Sequence, residues 1–391
     1  MRKSLALFIF TAVLLGACAT GATPTSSTLP PGGRCGDGVC SSPEDAQTCP
    51  QDCSPPDASD SMGATGDGVP FSGDVPPVYF FYAIHTHVSG DTLPYDENLT
   101  QIDTQVADNM LAAIEGIREI LDRYGIPGSW QVTYGVASGL CDYGGENHIL
   151  KQLLEGGHEV ALHAHRTEDI ITTYEALTTH CGITPQVGSG HLLDAYKLGQ
   201  ISGAQGAQES MTISLNISSN LGVTILTENL SPGGGKSVFD DACDNQLGIG
   251  NTMWEQSGNL MFPWRPDYQN GDICSHNPQS DVIFIDHISP EFALSPGGTM
   301  PDVWGEMEFA KLQQYFDGAL AYMQSEKPDR LAVWGFATHI TEYAVGAKGE
   351  QPPASEALAA LDQFLAYMDA KHDQGLVVYA TPSQIAALVE P

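Results

Sequence analysis

The chain has 391 residues, with 15 Lys and Arg set against 48 Asp and Glu, for a formal net charge of −33. So acidic a surface excludes nucleic acid and anionic lipid headgroups as main partners, because both are bound through basic patches. The length allows two or three domains.

Residues 1–18, "MRKSLALFIFTAVLLGAC", read as a targeting segment. Arg2 and Lys3 precede an apolar run shorter than the ~20 residues a spanning helix needs, and small residues follow. "LGAC" at Leu15–Cys18 resembles the lipobox of bacterial lipoproteins. That resemblance implies a lipidated Cys18 and a protein anchored by lipid to the bacterial cell envelope, at the outer membrane or cell surface. The alternative is an ordinary signal peptide cut near Ala19. Either way the protein is exported. Residues 19–34 are rich in Thr, Ser, Pro and Gly and form a flexible tether.

Besides Cys18 there are eight cysteines, an even number, and an oxidising compartment makes disulfides the expectation. Cys35, Cys40, Cys49 and Cys53 crowd into a module at 35–53, where CxxC spacing is missing and two disulfides are favoured over zinc. A Pro/Ser/Asp/Gly-rich linker spans 54–76. Cys141, Cys181, Cys243 and Cys274 lie in the remaining chain, 77–391. Of their three possible pairings, Cys141–Cys181 with Cys243–Cys274 closes the shorter, non-crossing loops.

From Val78 onward, apolar strands alternate with amphipathic helices. "VYFFYAI" is a strand, and Ile102–Tyr124 carries apolar residues at helical spacing. "SWQVTYGV" is a strand, His148–Glu155 a short helix, and "HEVALHAH" a strand. "GVTILTE", "DVIFID", "RLAVWGFAT" and "GLVVYAT" are later strands, with helices near Glu306–Met323 and Ser355–Lys371 between the last three. The pattern predicts an α/β fold: a distorted (β/α) barrel of seven or eight strands, preceded by the small disulfide-rich module. Functional groups gather at the C-terminal strand ends of such barrels. His85 and His87, His163 and His165, Asp286 and His287, and His339 all fall there. Strand alternation puts His163 and His165 on one face and His158 on the other.

The order of several short motifs resembles the polysaccharide deacetylase family, carbohydrate esterase family four. "LDRYGIPGSWQVTYG" resembles the family's second-strand segment, and "LLEGGHEVALHAH" its Gly-His-Glu strand, in which His163 matches a metal-binding histidine. "CGITPQVGSGH" stands where the family has its Arg-Pro-Pro-Tyr-Gly loop. "LAVWGFATH" resembles the strand that ends in the catalytic histidine, here His339. The resemblance covers roughly 77–391. It departs at the first strand, where the family has paired aspartates and this chain has His85 and His87, with Asp91 beyond. The family's second metal histidine comes four residues after the first, at Thr167 here, with His165 as the nearest substitute.

Neutral imidazoles suit a divalent metal, zinc first, so His85, His87, His163 and His165 are the expected ligands. The resemblance implies removal of acetyl groups from an acetylated extracellular or cell-envelope polysaccharide. His339 would serve as proton donor, with Asp91 and then Asp286 as candidates for the base. Arg265 and Trp264 in "FPWRPD", and His191 in "GSGH", are the candidate substrate contacts. Two other readings stay open: a carbohydrate-binding protein without hydrolysis, and a glycoside hydrolase, which needs two carboxylates across the pocket.

Overall fold

In a computed structural model the structure describes residues 76–87, 104–191, 206, 208–228, 262–287, 309–326, 330–340, 343 and 354–389. Cys18, the module at 35–53, Asp91 and Cys243 lie outside the described residues, as do the side chains of Cys274 and Asp286.

Strand β1 (Val78–Thr86) is the hub. One edge pairs in parallel with β9 (Ala332–His339) over its whole length. The other edge is shared: its first residues pair with β10 (Val377–Tyr379) and its last with β2 (Gly128–Val132). From β2 the sheet continues in parallel through β3 (Glu159–His163), β4 (Val187–Ser189), β5 (Ile225–Glu228) and β8 (Ile283–Asp286). Seven of these strands, β9-β1-β2-β3-β4-β5-β8, form a nearly closed barrel, with β8 and β9 side by side at the seam. Alternate residues of β8 face alternate edges: Ile283 bonds toward β5, and Phe284 exchanges two backbone hydrogen bonds with Trp264 on the seam side. A short antiparallel hairpin, β6 (Pro266–Asp267) and β7 (Asp272–His276), follows Trp264.

Helices cover the outer face, except the last, which packs into the barrel from below. They are α1 (Thr104–Tyr124), α2 (Tyr134–Gly144), α3 (Ile149–Glu155), α4 (Thr167–Glu175), α5 (208–220), α6 (Phe309–Glu326), α7 (Ala354–Asp373) and α8 (Pro382–Ala386). None of them is long and apolar enough to cross a membrane.

The period-2 rule divides the strands into two sets. Phe80, Tyr82, Trp130, Leu162, Trp334 and Phe336 point outward and pack with helix residues such as Ile117, Leu121 and Phe364 in the main core. Phe81, Ala83, Ala161, Val187, Ile225, Ile285 and Val333 point into the barrel, where Ile385 and Ala386 of α8 join them. Going up each strand by the same parity, the lumen turns polar. Gln131 donates to Thr227 Oγ1 at 2.6 Å across it, and His85, His163, Ser189, His287 and His339 stand at the strand ends. At the opposite end Glu159 accepts from Ser129 Oγ and the Ser383 backbone, and burial raises its pKa.

Three expectations need correction. "SWQVTYGV" stops being a strand at Val132, because Val136, Ala137, Leu140 and Cys141 have helical spacing and α2 buries all four. "HEVALHAH" ends at His163, so His165 stands just past the strand. The segment at Val187–Ser189, read as a loop, contributes β4. The Cys141–Cys181 disulfide is present and ties α2 to the turn after the π-helical extension of α4 at Ala176–His180.

Candidate metal centre

Register explains how the histidines meet. His85 of β1 is the direct partner of His339 on β9, and His163 of β3 is the direct partner of Ser189 on β4. Side chains opposite one another in parallel strands share a face and touch. His85 Nδ1 lies 3.4 Å from His339 Nε2, and His163 Nδ1 lies 2.6 Å from Ser189 Oγ.

His87, two residues past His85, keeps its inward parity and stacks parallel to His163, with ring centroids 5.3 Å apart. His165 turns back so that its Nε2 is 2.8 Å from His163 Nε2. His87, His163 and His165 each offer a nitrogen within 4.8 Å of the others. A zinc ion with Zn–N bonds of ~2.0–2.1 Å spaces tetrahedral ligands about 3.3 Å apart, between the 2.8 Å of the His163–His165 pair and the 4.8 Å limit of the set.

His85 stacks on His163 at 4.5 Å, and its buried Nε2 has no hydrogen-bond partner among the described residues. His339 lies edge-on to both His85 and His87, at 4.9 and 4.8 Å between centroids. His287 lies edge-on to His85 at 5.3 Å.

Six imidazoles in a buried site cannot all carry charge. Burial first, then the neighbouring imidazoles, holds His85 and His163 well below the ordinary histidine pKa. Burial, with His339 adding to it, lowers His287 to about 3. These rings are therefore neutral at working pH, the form that ligates metal. The Ser189 hydroxyl on His163 Nδ1 fixes that ring so that Nε2 faces His165. A set of buried neutral nitrogens with an orphaned Nε2 among them fits a borderline divalent metal such as zinc.

The four expected ligands thus come together, and His339 joins them. The candidate substrate contacts do not. Trp264 is 1 % exposed, packs edge-on to Phe284 on the outer face, and donates to Ile273 O. Arg265 follows it toward the N-terminal end of β8 and donates to Ser280 O. His191 is buried beside α5, with Nε2 2.9 Å from Ser218 Oγ. Trp264 turns its side chain outward from the seam edge of β8, Arg265 bonds near the N-terminal end of that strand, away from the histidines, and His191 packs against α5. Asp286 ends β8.

His158 acts structurally, as its strand face requires. Its Nδ1 accepts from the Gly128 backbone N–H at 2.9 Å and its Nε2 pairs with Asp122 at 3.2 Å. His287, expected at this strand end but given no role there, does reach the site, and Ser189 is the residue that sequence reasoning missed, although parity with Val187 marks its position as inward.

No family model and no curated protein matches the chain. Among solved structures it is similar to a "probable polysaccharide deacetylase" from Pseudomonas aeruginosa, at 10% identity and a TM-score of 0.47, covering 80% of this chain and 91% of that one. It is also similar to the allantoinase PuuE, at 13% identity and a TM-score of 0.48, covering 81% and 91%. A family 4 carbohydrate esterase from Streptomyces lividans matches at 10% identity and a TM-score of 0.30, covering 78% and 94%. At these values no activity transfers with the likeness, since one barrel carries many chemistries.

Proposed function

We propose that this chain is a metal-dependent hydrolase that removes acetyl groups from an extracellular or cell-envelope polysaccharide. The observation that carries the reading is the convergence of neutral imidazoles at the C-terminal mouth of the barrel. His87, His163 and His165, with His85 against them, would hold a divalent metal, zinc by preference. Such a metal, when bound, polarises the acetyl carbonyl and acidifies water.

The protein's own groups do the rest. Ser189 orients His163 through Nδ1, and the apolar lumen beneath keeps water from reaching the rings from below. His339, at the half-buried rim beside His85, would give a proton to the departing amine or alcohol once water has added to the acetyl carbon. The products are acetate and the deacetylated sugar. Asp91 is the first candidate for the base that takes the water proton, and Asp286 the second. The lipobox resemblance supports attachment to the cell envelope through Cys18.

The experiment is acetate release from acetylated chitin, peptidoglycan and xylan by the zinc-loaded protein, with a metal-stripped control. Release that depends on metal supports the reading. Bound metal without acetate from any substrate replaces it with a carbohydrate-binding role.

A further inference from the structure

A small recess opens behind His165, among Thr133, Tyr134, Asp169 and Thr173. Thr133, Asp169 and Thr173 are all buried there, and the last two lie on one helix. Asp169 is 8 % exposed and accepts from Arg166 Nε at 2.7 Å and Nη2 at 2.8 Å. Thr173, one helical turn further along α4, is fully buried, and its Oγ1 has no hydrogen-bond partner among the described residues. Residues four apart share one helix face, so both groups look into the recess together.

Helix capping accounts for part of this. An acidic group in the first turn of α4 offsets the helix dipole, and Arg166 neutralises it. Capping gives no reason for a buried hydroxyl at Thr173. Valine has the same shape and would avoid the ~1–3 kcal/mol cost of an unmade hydrogen bond.

The histidine that lines the recess beside these groups is His165. Its Nε2 is turned toward His163, which leaves Nδ1 on the outer side of the ring. A histidine that ligates metal through Nε2 donates its Nδ1–H to a carboxylate, carbonyl or water, and that bond fixes the tautomer. We propose that Asp169, held by Arg166, and the Thr173 hydroxyl form the hydrogen-bonding seat of His165, joined to its Nδ1–H through a bridging water in the recess. A buried water requires two to four polar partners, and His165, Asp169 and Thr173 supply three. Asp169 and Thr173 are then positioning residues that present His165 Nε2 to the metal. The inference rests on the metal reading of the site.

The test is zinc affinity of the full-length protein by competition with a chelating dye, for wild type, Asp169→Asn and Thr173→Val. Zinc held by His163→Ala is subtracted as background, and melting of the metal-free proteins is recorded in parallel. Asp169→Asn should weaken zinc about 10- to 100-fold. Thr173→Val should also weaken it, yet leave the metal-free melting temperature unchanged or higher, an outcome a purely structural role does not produce. If Asp169→Asn fails to fold, Thr173→Val decides alone. Wild-type affinity in Thr173→Val, or in both variants, overturns the seat and leaves the metal site standing. If the wild type binds no zinc above the His163→Ala background, the metal reading falls and the seat with it.

Discussion

Gly190→Ala probes how tightly the barrel wall fixes His163. Gly190 follows β4 with a φ of 83°, in the left-handed region that a side chain disfavours. An added Cβ would stand 2.9 Å from Ala164 O and 3.0 Å from His163 Cε1. The segment carrying Ala164 has little freedom to retreat, because its backbone N–H is bonded to Ser189 O at 3.0 Å. Relieving both contacts therefore displaces the Ala164 carbonyl or the Gly190 backbone, and the His163 ring beside them. Left-handed backbone costs an L-residue roughly 1–2 kcal/mol, and overpacking adds about 1–3 kcal/mol. Urea denaturation of the metal-free variant should show a loss of about 2–5 kcal/mol, with zinc binding weakened about tenfold. Gly182→Ala is the control: its φ is 66°, but nothing lies within 4 Å of the added Cβ. It should lose only about 1–2 kcal/mol and bind zinc normally. Equal losses in the two variants, with zinc affinity intact in both, would refute the reasoning.

Breaking the Cys141–Cys181 disulfide, with a sequence separation of 40, should cost about 4 kcal/mol through loop entropy. Guanidine midpoints of the double alanine variant check it, and an unchanged midpoint contradicts it. In the metal-free protein, the lowered pKa of His287 means the unfolded chain takes up that proton first. This stability is complete above pH ~6.5 and is lost as pH falls toward about 3. His287 alone should contribute a loss of about 2 kcal/mol by pH 5, with His85 and His163 adding in the same direction. Urea midpoints that stay flat from pH 7.5 to pH 5 in chelator would count against buried neutral histidines. His158→Ala should destabilise by about 2–4 kcal/mol, since it strands the Gly128 N–H and leaves a cavity. Its zinc content should stay at the wild-type level.

The barrel was legible because its strands are continuous apolar runs and its helices are long and periodic. The β1 and β9 segments, and the helices now seen as α1, α6 and α7, fall close to their expected places. β4 was missed because "VGS" is short and glycine-bearing, and it becomes a strand only through pairing with β3 and β5. Helix α5 was missed because Thr212, Ile213 and Ile217 are β-branched and weak helix formers. Packing of Met211 and Leu215 into the core outweighs that preference.

At the site, the paired spacing of His85 with His87 and of His163 with His165 was a local signal, and strand parity was enough to aim His85 and His163 inward, whereas His87 and His165 reach the site from just past the strand ends. Trp264, Arg265 and His191 carry no such parity signal, because each lies outside the named strands. Ser189 entered the site by register with His163 across a strand that the sequence did not reveal, which composition and motif order do not encode.

The central claim is that the imidazoles at the barrel mouth hold a metal. Zinc content of the purified full-length protein, measured against His163→Ala and His158→Ala prepared in parallel, tests it most directly. His163 lies between His85, His87 and His165, whereas His158 bonds to Gly128 on the opposite strand face. The account predicts that zinc is lost from His163→Ala and retained by His158→Ala. Zinc retained by His163→Ala at the wild-type level would contradict it.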